Sequence, residues 1–425
     1  PSQQPGDLFV PPQRPSFAGL DYVQAAVARQ AAAAVISRPD ATSMPCLQDA
    51  DTRLALGRLA ALWRDRAAAR VVAITGSNGK TTVKEMLAAI LAQQGPVLAT
   101  LGNLNNDIGL PLTLARLQEE EFSVVEMGAN HPGEIDYLSR IARPDVAVLN
   151  NAGRAHLEGF GSLEGVARAK LEIINGLLPD GVFVFNADDK FAELWRQAAG
   201  NYRQLTFAVQ QPADVTSEPR AIRVKWNEQG FDSEFEVSTP AGDLQLKLRL
   251  AGEHNRLNAL AAVAAAQVAG ADESAIVTGL SGLQPVPGRL CLTPGCHGAR
   301  LVDDSYNANP DSVSAAIQVL ASAPGRRSLV LGDLAELGSD QTGLHREIGE
   351  RAKAAGIDQL LTCGVLSEAA SRSFGKGARH YADSDRLTDA LLQLMSAEDS
   401  ILIKGSRMAA MDQVVTRLTA GAGTC

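Results

Sequence analysis

The stretch Val71–Thr82, VVAITGSNGKTT, decides how the rest of the chain is read. Val71 to Ile74 are apolar and mostly β-branched, as a buried strand requires. Lys80 to Leu91, KTTVKEMLAAIL, carries apolar residues at helical spacing. Between them lies a short turn, Thr75, Gly76, Ser77, Asn78 and Gly79. A glycine-rich turn from strand to helix aims backbone N–H groups and the positive helix end at a phosphate chain. Lys80 is then placed to reach the β- and γ-phosphates, and the Thr81 hydroxyl, next to Thr82, to ligate Mg²⁺. The segment departs from the GxxxxGK[ST] pattern in one respect: Ile74 holds the first glycine position and Gly76 follows two residues later. The reading is a nucleotide site on an α/β sheet.

Bulk properties bound the rest. At 425 residues the chain exceeds one ordinary core and suggests about three domains. Apolar residues make up 45% and charged residues 20%, the balance of a globular protein. The net charge of −9, without a long basic run, argues against nucleic acid or an anionic membrane as partner. No run of about 18 uncharged apolar residues exists to span a bilayer, and the N-terminus has no basic-then-apolar leader pattern. Five scattered cysteines fit a reducing cytoplasm. Cys291, Cys296 and His297 lie close together without an evident fourth ligand, which favours a hairpin with incidental thiols over a zinc site. The chain opens on Pro1 and reaches LFV at Leu8 almost at once, so further residues are expected ahead of it.

Three units are expected: residues 1–70, 71–287 and 288–425. The first holds strand-like pieces at Leu8–Val10 and Ala33–Ile36 and helices at Asp21–Gln30 and Asp51–Arg66. In the second, apolar runs at Val71–Ile74, Val124–Met127, Val146–Leu149 and Val182–Phe185 alternate with helices at Lys80–Leu91, Glu134–Ile141 and Leu163–Leu177. Such alternation predicts a parallel sheet covered by helices on both faces. Ala221–Leu250 breaks the rhythm and reads as a small antiparallel sheet with turns at Glu228–Gly230 and Pro240–Gly242. After the PVPGRL turn a second α/β unit without a phosphate loop follows. Its strands are expected at Leu301–Asp303, Leu329–Leu331, Gln359–Thr362 and Ile401–Ile403, and its helices at Asp311–Leu320, Gln341–Ala355 and Ser384–Met395.

Chemistry-bearing residues gather at predicted strand ends. Glu126 ends VVE, where ligands sit in open α/β sheets, and its carboxylate could complete a Mg²⁺ shell with Thr81; the alternative is a surface glutamate. His156 lies in the polar loop after the next strand, as a ligand or as a structural hydrogen-bonding group. Lys170 falls between Val166 and Ile173 on a helix, where a solvated lysine would be ordinary. Asn255 and Asn258 share one helix face and could bond a base edge or cap the helix. Arg289 follows a Pro-Gly turn between units. Asp303 and Asp304 end a strand and could bind a ribose hydroxyl or serve a helix dipole.

Read together, TGSNGKTT, EMGANHPGEI, HLEGFGS, the Ala169-Lys170 pair, GEHNRLNALAA, DDSYNANPDSVSAAI, LGDLAELG and LIKGSR resemble, in this order, the Mur ligases of peptidoglycan synthesis. The resemblance runs from about residue 5 to the C-terminus. SYNANPDSV, NLNNDIGLPLTL and LGDLAELG are most similar to the member that joins D-alanyl-D-alanine to UDP-N-acetylmuramoyl-tripeptide. It implies a three-domain, ATP- and Mg²⁺-dependent amide ligase: an N-terminal UDP-sugar-peptide domain, a central ATP domain and a C-terminal Rossmann-like domain for the dipeptide. The tripeptide carboxylate is phosphorylated, and the dipeptide amine attacks the acyl phosphate. A cytoplasmic monomer is expected. The resemblance also assigns Lys80 to the γ-phosphate, Thr81 and Glu126 to one Mg²⁺, and His156 with a carbamylated Lys170 to a second metal. Asn255 and Asn258 go to adenine, Arg289 to the phosphates and Asp304 to the ribose.

The sequence departs from the family in places. PSQQ stands where an Asp-Ser-Arg-like segment precedes PGDLF, VPPQRPSFAGLDYV replaces a glycine-rich stretch, and Leu171 stands where glycine is common. Another Mur ligase, a folylpolyglutamate synthetase-like ligase and a non-catalytic nucleotide-binding protein are the rival readings; His156 and Arg289 would be idle in the last.

Overall fold

The computed structural model describes residues 4–11, 22–38, 42, 44–220, 222–227 and 230–420. Three sheets organise them. Leu8–Phe9, Ala33–Ile36 and Cys46–Gln48 form a small parallel sheet, with the Val23–Ala28 helix beside it. Most of the VPPQRPSFAGLDYV stretch, the start of the expected Asp21–Gln30 helix and residues 1–3 lie outside the described residues.

The central sheet has ten strands. Its parallel part runs Val97–Ala99, Phe122–Glu126, Arg70–Thr75, Val146–Leu149, Val182–Asn186, Arg203–Ala208 and Val215–Thr216 in space. Every residue from Val71 to Thr75 is buried, because helices cover both faces: Lys80–Leu91 and Glu253–Val268 on one, Glu134–Ala142 and Leu163–Leu171 on the other. The Glu253–Val268 helix is buried nearly all round, and its run of small alanines lets it lie close to the sheet. The antiparallel strands Val224–Asn227, Gly230–Thr239 and Gly242–Leu248 are no separate sheet; they continue the central one through the Thr216–Ser238 pairing. The turn expected at Glu228–Gly230 falls mostly outside the described residues.

After Arg70–Thr75 the chain crosses to one side of that strand for Val97–Ala99 and Phe122–Glu126, then to the other side for Val146–Leu149. The strand order therefore reverses at the phosphate loop, the position where open α/β sheets leave a crevice. The expected Leu163–Leu177 helix is shorter than the spacing suggests. It is α-helical to Leu171 and tightens to a 3₁₀ turn over Glu172–Gly176. There the Glu172 carboxylate accepts from Gly133 and Asp136 N–H at the head of the neighbouring helix, and Gly176 lies against the Ser139 carbonyl, where a Cβ would collide.

The third sheet orders Cys291–Pro294, Arg300–Asp304, Asp399–Lys404, Arg326–Gly332, Gln359–Cys363 and Ala378–Tyr381. All pair in parallel except Cys291–Pro294, which forms the hairpin expected around Cys291 and Cys296. Among the described residues no cluster of three or more His, Cys, Asp or Glu side chains is arranged to hold a metal. The Thr52–Arg66 helix starts on an Asp51 cap and packs on the central unit, with Trp63 Nε1 donating to the Leu117 carbonyl at 2.6 Å. No described helix is long and apolar enough to cross a membrane.

Candidate active site

A cavity of 1230 Å³ opens between the central and C-terminal sheets. Its wall includes Ser77 to Thr82, Glu126, His156, Asn255, Asn258, Arg289 and Asp304. Lys170 lies just behind that wall, 1% exposed, with Nζ 3.3 Å from the carbonyl of Ala129, which does line it.

The phosphate loop is built from the backbone outward. Thr75 is buried, and its hydroxyl donates to the Met127 carbonyl at 2.9 Å, tying strand end to strand end. Gly79 opens the helix at φ +80°, and a Cβ there would collide with Asn258 Oδ1 and Asn150 Nδ2. Only glycine meets both demands. Asn78 N–H donates to Asn151 Oδ1 at 2.9 Å and Ser77 Oγ to the Gly153 carbonyl at 3.1 Å, so the loop is fastened to the next strand end. Lys80 Nζ folds back to the Gly76 carbonyl at 2.7 Å. Desolvation pulls its pKa below the ordinary lysine value; Arg289 adds to this and Glu126 opposes it.

Beside the loop, three groups converge. Thr81 Oγ1 donates to Glu126 Oε2 at 2.8 Å. Arg289 Nη2 donates to the same Thr81 oxygen at 2.8 Å, and its guanidinium lies 4.3 Å from the Tyr306 ring centroid. Asn105 Nδ2 holds the other Glu126 oxygen at 2.8 Å. A hydroxyl and a carboxylate side by side at a phosphate loop are hard oxygen donors, so Thr81 and Glu126 fit Mg²⁺.

His156 and Lys170 are arranged differently. His156 Nδ1 meets the Glu336 carboxylate, which comes from the C-terminal unit. Burial lowers the imidazole pKa, against the pull of Glu336. Lys170 is not the solvated lysine that helical spacing alone favours: its ammonium faces the Phe160 ring at 5.1 Å. Its pKa falls to about 7, first through burial and then through Lys80. As an ammonium it cannot ligate a metal, and the lowered pKa favours the neutral amine.

Asn255 and Asn258 are buried and bonded to each other, Asn258 Nδ2 to Asn255 Oδ1 at 3.0 Å. Neither caps the helix; Asn255 Nδ2 reaches the Ala251 carbonyl and Asn258 Oδ1 accepts from Asn150 at 2.8 Å. Asp304 is committed to a buried pair with Lys404 Nζ at 2.5 Å and to Leu290 N–H at 3.2 Å. Sequence reasoning singled out neither Asn105, Tyr306, Asp311 nor Glu336. All four lie inside the motifs NLNND, SYNANPDSV and LGDLAELG that carry the family resemblance, and Glu336, at φ +58°, also has the strained backbone typical of a working site.

The Mur ligase middle domain matches residues 74–266, and the Mur ligase glutamate ligase domain matches residues 288–407. Over 424 residues the chain is 47% identical to UDP-N-acetylmuramoyl-tripeptide–D-alanyl-D-alanine ligase of Escherichia coli (strain K12), covering 99% of this chain and 92% of that one. The chain belongs to the Mur ligase family. This Mur ligase is also similar to MurF from Acinetobacter baumannii, with a TM-score of 0.91 and 37% identity over 98% of this chain and 91% of that one. MurF ligase from Thermotoga maritima in complex with ADP gives a TM-score of 0.88 and 29% identity, over 99% and 96% of the two chains.

Proposed function

We propose that this Mur ligase joins D-alanyl-D-alanine to the terminal carboxylate of UDP-N-acetylmuramoyl-tripeptide at the expense of ATP. The observation that carries the reading is the reach of Arg289, beside the C-terminal sheet, onto Thr81 in the phosphate loop of the central one. Two units closing on one polar cavity suit a reaction between substrates held by different units; a simple nucleotide switch would have no use for the second.

In this reading the loop amides and Lys80 hold the β- and γ-phosphates, while Arg289 faces the transferring phosphoryl group from the other side. Phosphoryl transfer asks for charge neutralisation and alignment more than for a nucleophilic side chain, and these residues supply both. Mg²⁺ on Thr81 and Glu126 would add further neutralisation of phosphate charge. The tripeptide carboxylate takes the γ-phosphoryl group, ADP leaves, and the dipeptide amine attacks the acyl carbon. The tetrahedral adduct then expels phosphate. We assign the second metal to His156 and a carbamylated Lys170, adenine to the Asn255–Asn258 face and the ribose to the neighbourhood of Asp304. Domain roles follow residues 1–70 for the UDP-sugar peptide, 71–287 for ATP and 288–425 for the dipeptide. The reading also takes the enzyme as a cytoplasmic monomer; Cys46, Cys291 and Cys363 are free thiols, in keeping with a reducing compartment.

The test is phosphate release from ATP with UDP-N-acetylmuramoyl-tripeptide, with and without D-alanyl-D-alanine. Release should depend on the dipeptide. Equal stimulation by free D-glutamate or a diamino acid would move the chain to a different Mur ligase.

A further inference from the structure

The Pro310–Ala321 helix of the C-terminal unit touches the central unit near both its ends, and the two ends are held by different chemistry. At its C-terminal end Trp226 Nε1 donates to Ser322 Oγ at 3.3 Å. Trp226 meets Phe231 edge-on at 4.8 Å, and Phe231 and Ala251 of the central unit are buried in one core with Val313, Ile317 and Leu320 of this helix. Such a contact does not open without exposing apolar surface.

At the N-terminal end, about 18 Å away by helical rise, the contacts are polar. Arg154, in the loop after Val146–Leu149, donates its backbone N–H to Asp311 Oδ2 at 2.7 Å and Nε–H to Asp311 Oδ1 at 2.8 Å. Its Nη1 donates to Glu347 Oε2 at 2.8 Å, and Arg351 Nε pairs with the other Glu347 oxygen at 2.8 Å. Next to this network Asn309 Nδ2 donates to Asn78 Oδ1 at 2.7 Å. The same loop is wired to the phosphate site, since Gly153 N–H donates to Ser77 Oγ at 2.8 Å. Charge-assisted, forked bonds of this kind are strong when seated, yet water replaces them when the surfaces part.

We propose that Arg154 and Glu347 form a releasable latch that seats the C-terminal sheet over the phosphate loop, with the apolar seam of Phe231 and Ala251 against Val313, Ile317 and Leu320 as pivot. They are positioning residues: seated, they bring Asn309 to Asn78 and Arg289 to Thr81; released, they let the cavity open at that end for substrate entry. The proposal rests on the ligase reading for its kinetic effect alone, since the closure itself is readable without turnover.

The experiment compares Arg154→Ala, Glu347→Gln, the double variant and Arg154→Lys with the parent by X-ray scattering, with and without a non-hydrolysable ATP analogue, and by steady-state kinetics. Arg154→Ala should keep the parent's melting temperature but scatter with a larger radius of gyration in the presence of the analogue. Its kcat should fall at least about tenfold, because small misplacements of reacting groups are costly. The double variant should be no worse than Arg154→Ala, as expected of partners in one network, and Arg154→Lys should recover part of the loss. Superimposable scattering of Arg154→Ala and parent, a kcat within about twofold of parent, or losses that multiply in the double variant would each overturn the latch. Absence of dipeptide-dependent phosphate release in the parent would instead sink the ligase reading, with the scattering still deciding the latch.

Discussion

The Arg289 guanidinium and the Thr81 hydroxyl, 208 residues apart in sequence, are joined by a hydrogen bond of 2.8 Å. One end belongs to the turn that leads into the C-terminal sheet and the other to the first turn of the phosphate-loop helix. Tyr306 backs the guanidinium at 4.3 Å, which fixes its plane. Arg289→Ala should lower kcat by about a hundredfold or more, the usual cost of removing a preorganised group from developing charge. Arg289→Lys should fall between, because a point charge replaces the planar fork. Steady-state phosphate release reads both; parent-like turnover of Arg289→Ala would refute the role.

Lys80→Ala should abolish turnover while leaving the fold intact. The Lys80 amine bonds only the carbonyls of its own loop, Gly76 at 2.7 Å and Ser77 at 3.4 Å, and supports no core. A loss of at least about a hundredfold is expected. Circular dichroism and melting temperature should match the parent; a variant retaining more than about a tenth of the rate would remove the assignment.

For Lys170, the expectation is a carbamate. With its pKa near 7, the amine is increasingly neutral as pH rises above 7, so carbamylation should grow with pH and added bicarbonate and fade below pH 7. Carbon-13 NMR of protein equilibrated with labelled bicarbonate should reveal a carbamate resonance that Lys170→Ala lacks. That variant should be inactive and partly rescued by short carboxylic acids. A parent spectrum without the resonance, at pH 8 and with Mg²⁺ and nucleotide bound, would count against it.

His254 makes stability depend on pH. Burial holds its imidazole near a pKa of about 4, below the ordinary 6.5, and Lys404 pushes the same way. Between those values the unfolded chain binds a proton that the folded chain refuses. Its contribution is therefore full above pH 6.5 and is lost progressively as pH falls toward 4. Urea midpoints measured at pH 7.5 and 5 should drop for the parent and drop less for His254→Asn. Equal drops would assign the loss to other groups.

Gly79→Ala should destabilise and inactivate together. The φ of +80° strains any residue with a Cβ, and the added methyl would strike Asn258 and Asn150. A variant with parent-like melting temperature and nucleotide binding would show that the loop can relax.

What the sequence determined by itself is local and periodic. The apolar run Val71–Ile74, the glycine turn and the apolar spacing of Lys80–Leu91 define strand, loop and helix because each depends on neighbours a few residues away. The alternation of apolar runs and helical segments likewise implies a covered parallel sheet, and the motifs carry the family. Tertiary structure decided what depends on distant partners. It turned the antiparallel strands into an extension of the central sheet through one pairing at Thr216–Ser238. It buried Lys170, which helical spacing alone reads as solvated, behind Ala129 and Phe160, and it spent Asp304 on Lys404, 100 residues away. It also brought Arg154 to Asp311 and Glu347. No periodicity records such contacts, because burial, pKa and charge pairing are set by groups that the chain brings together only when it folds.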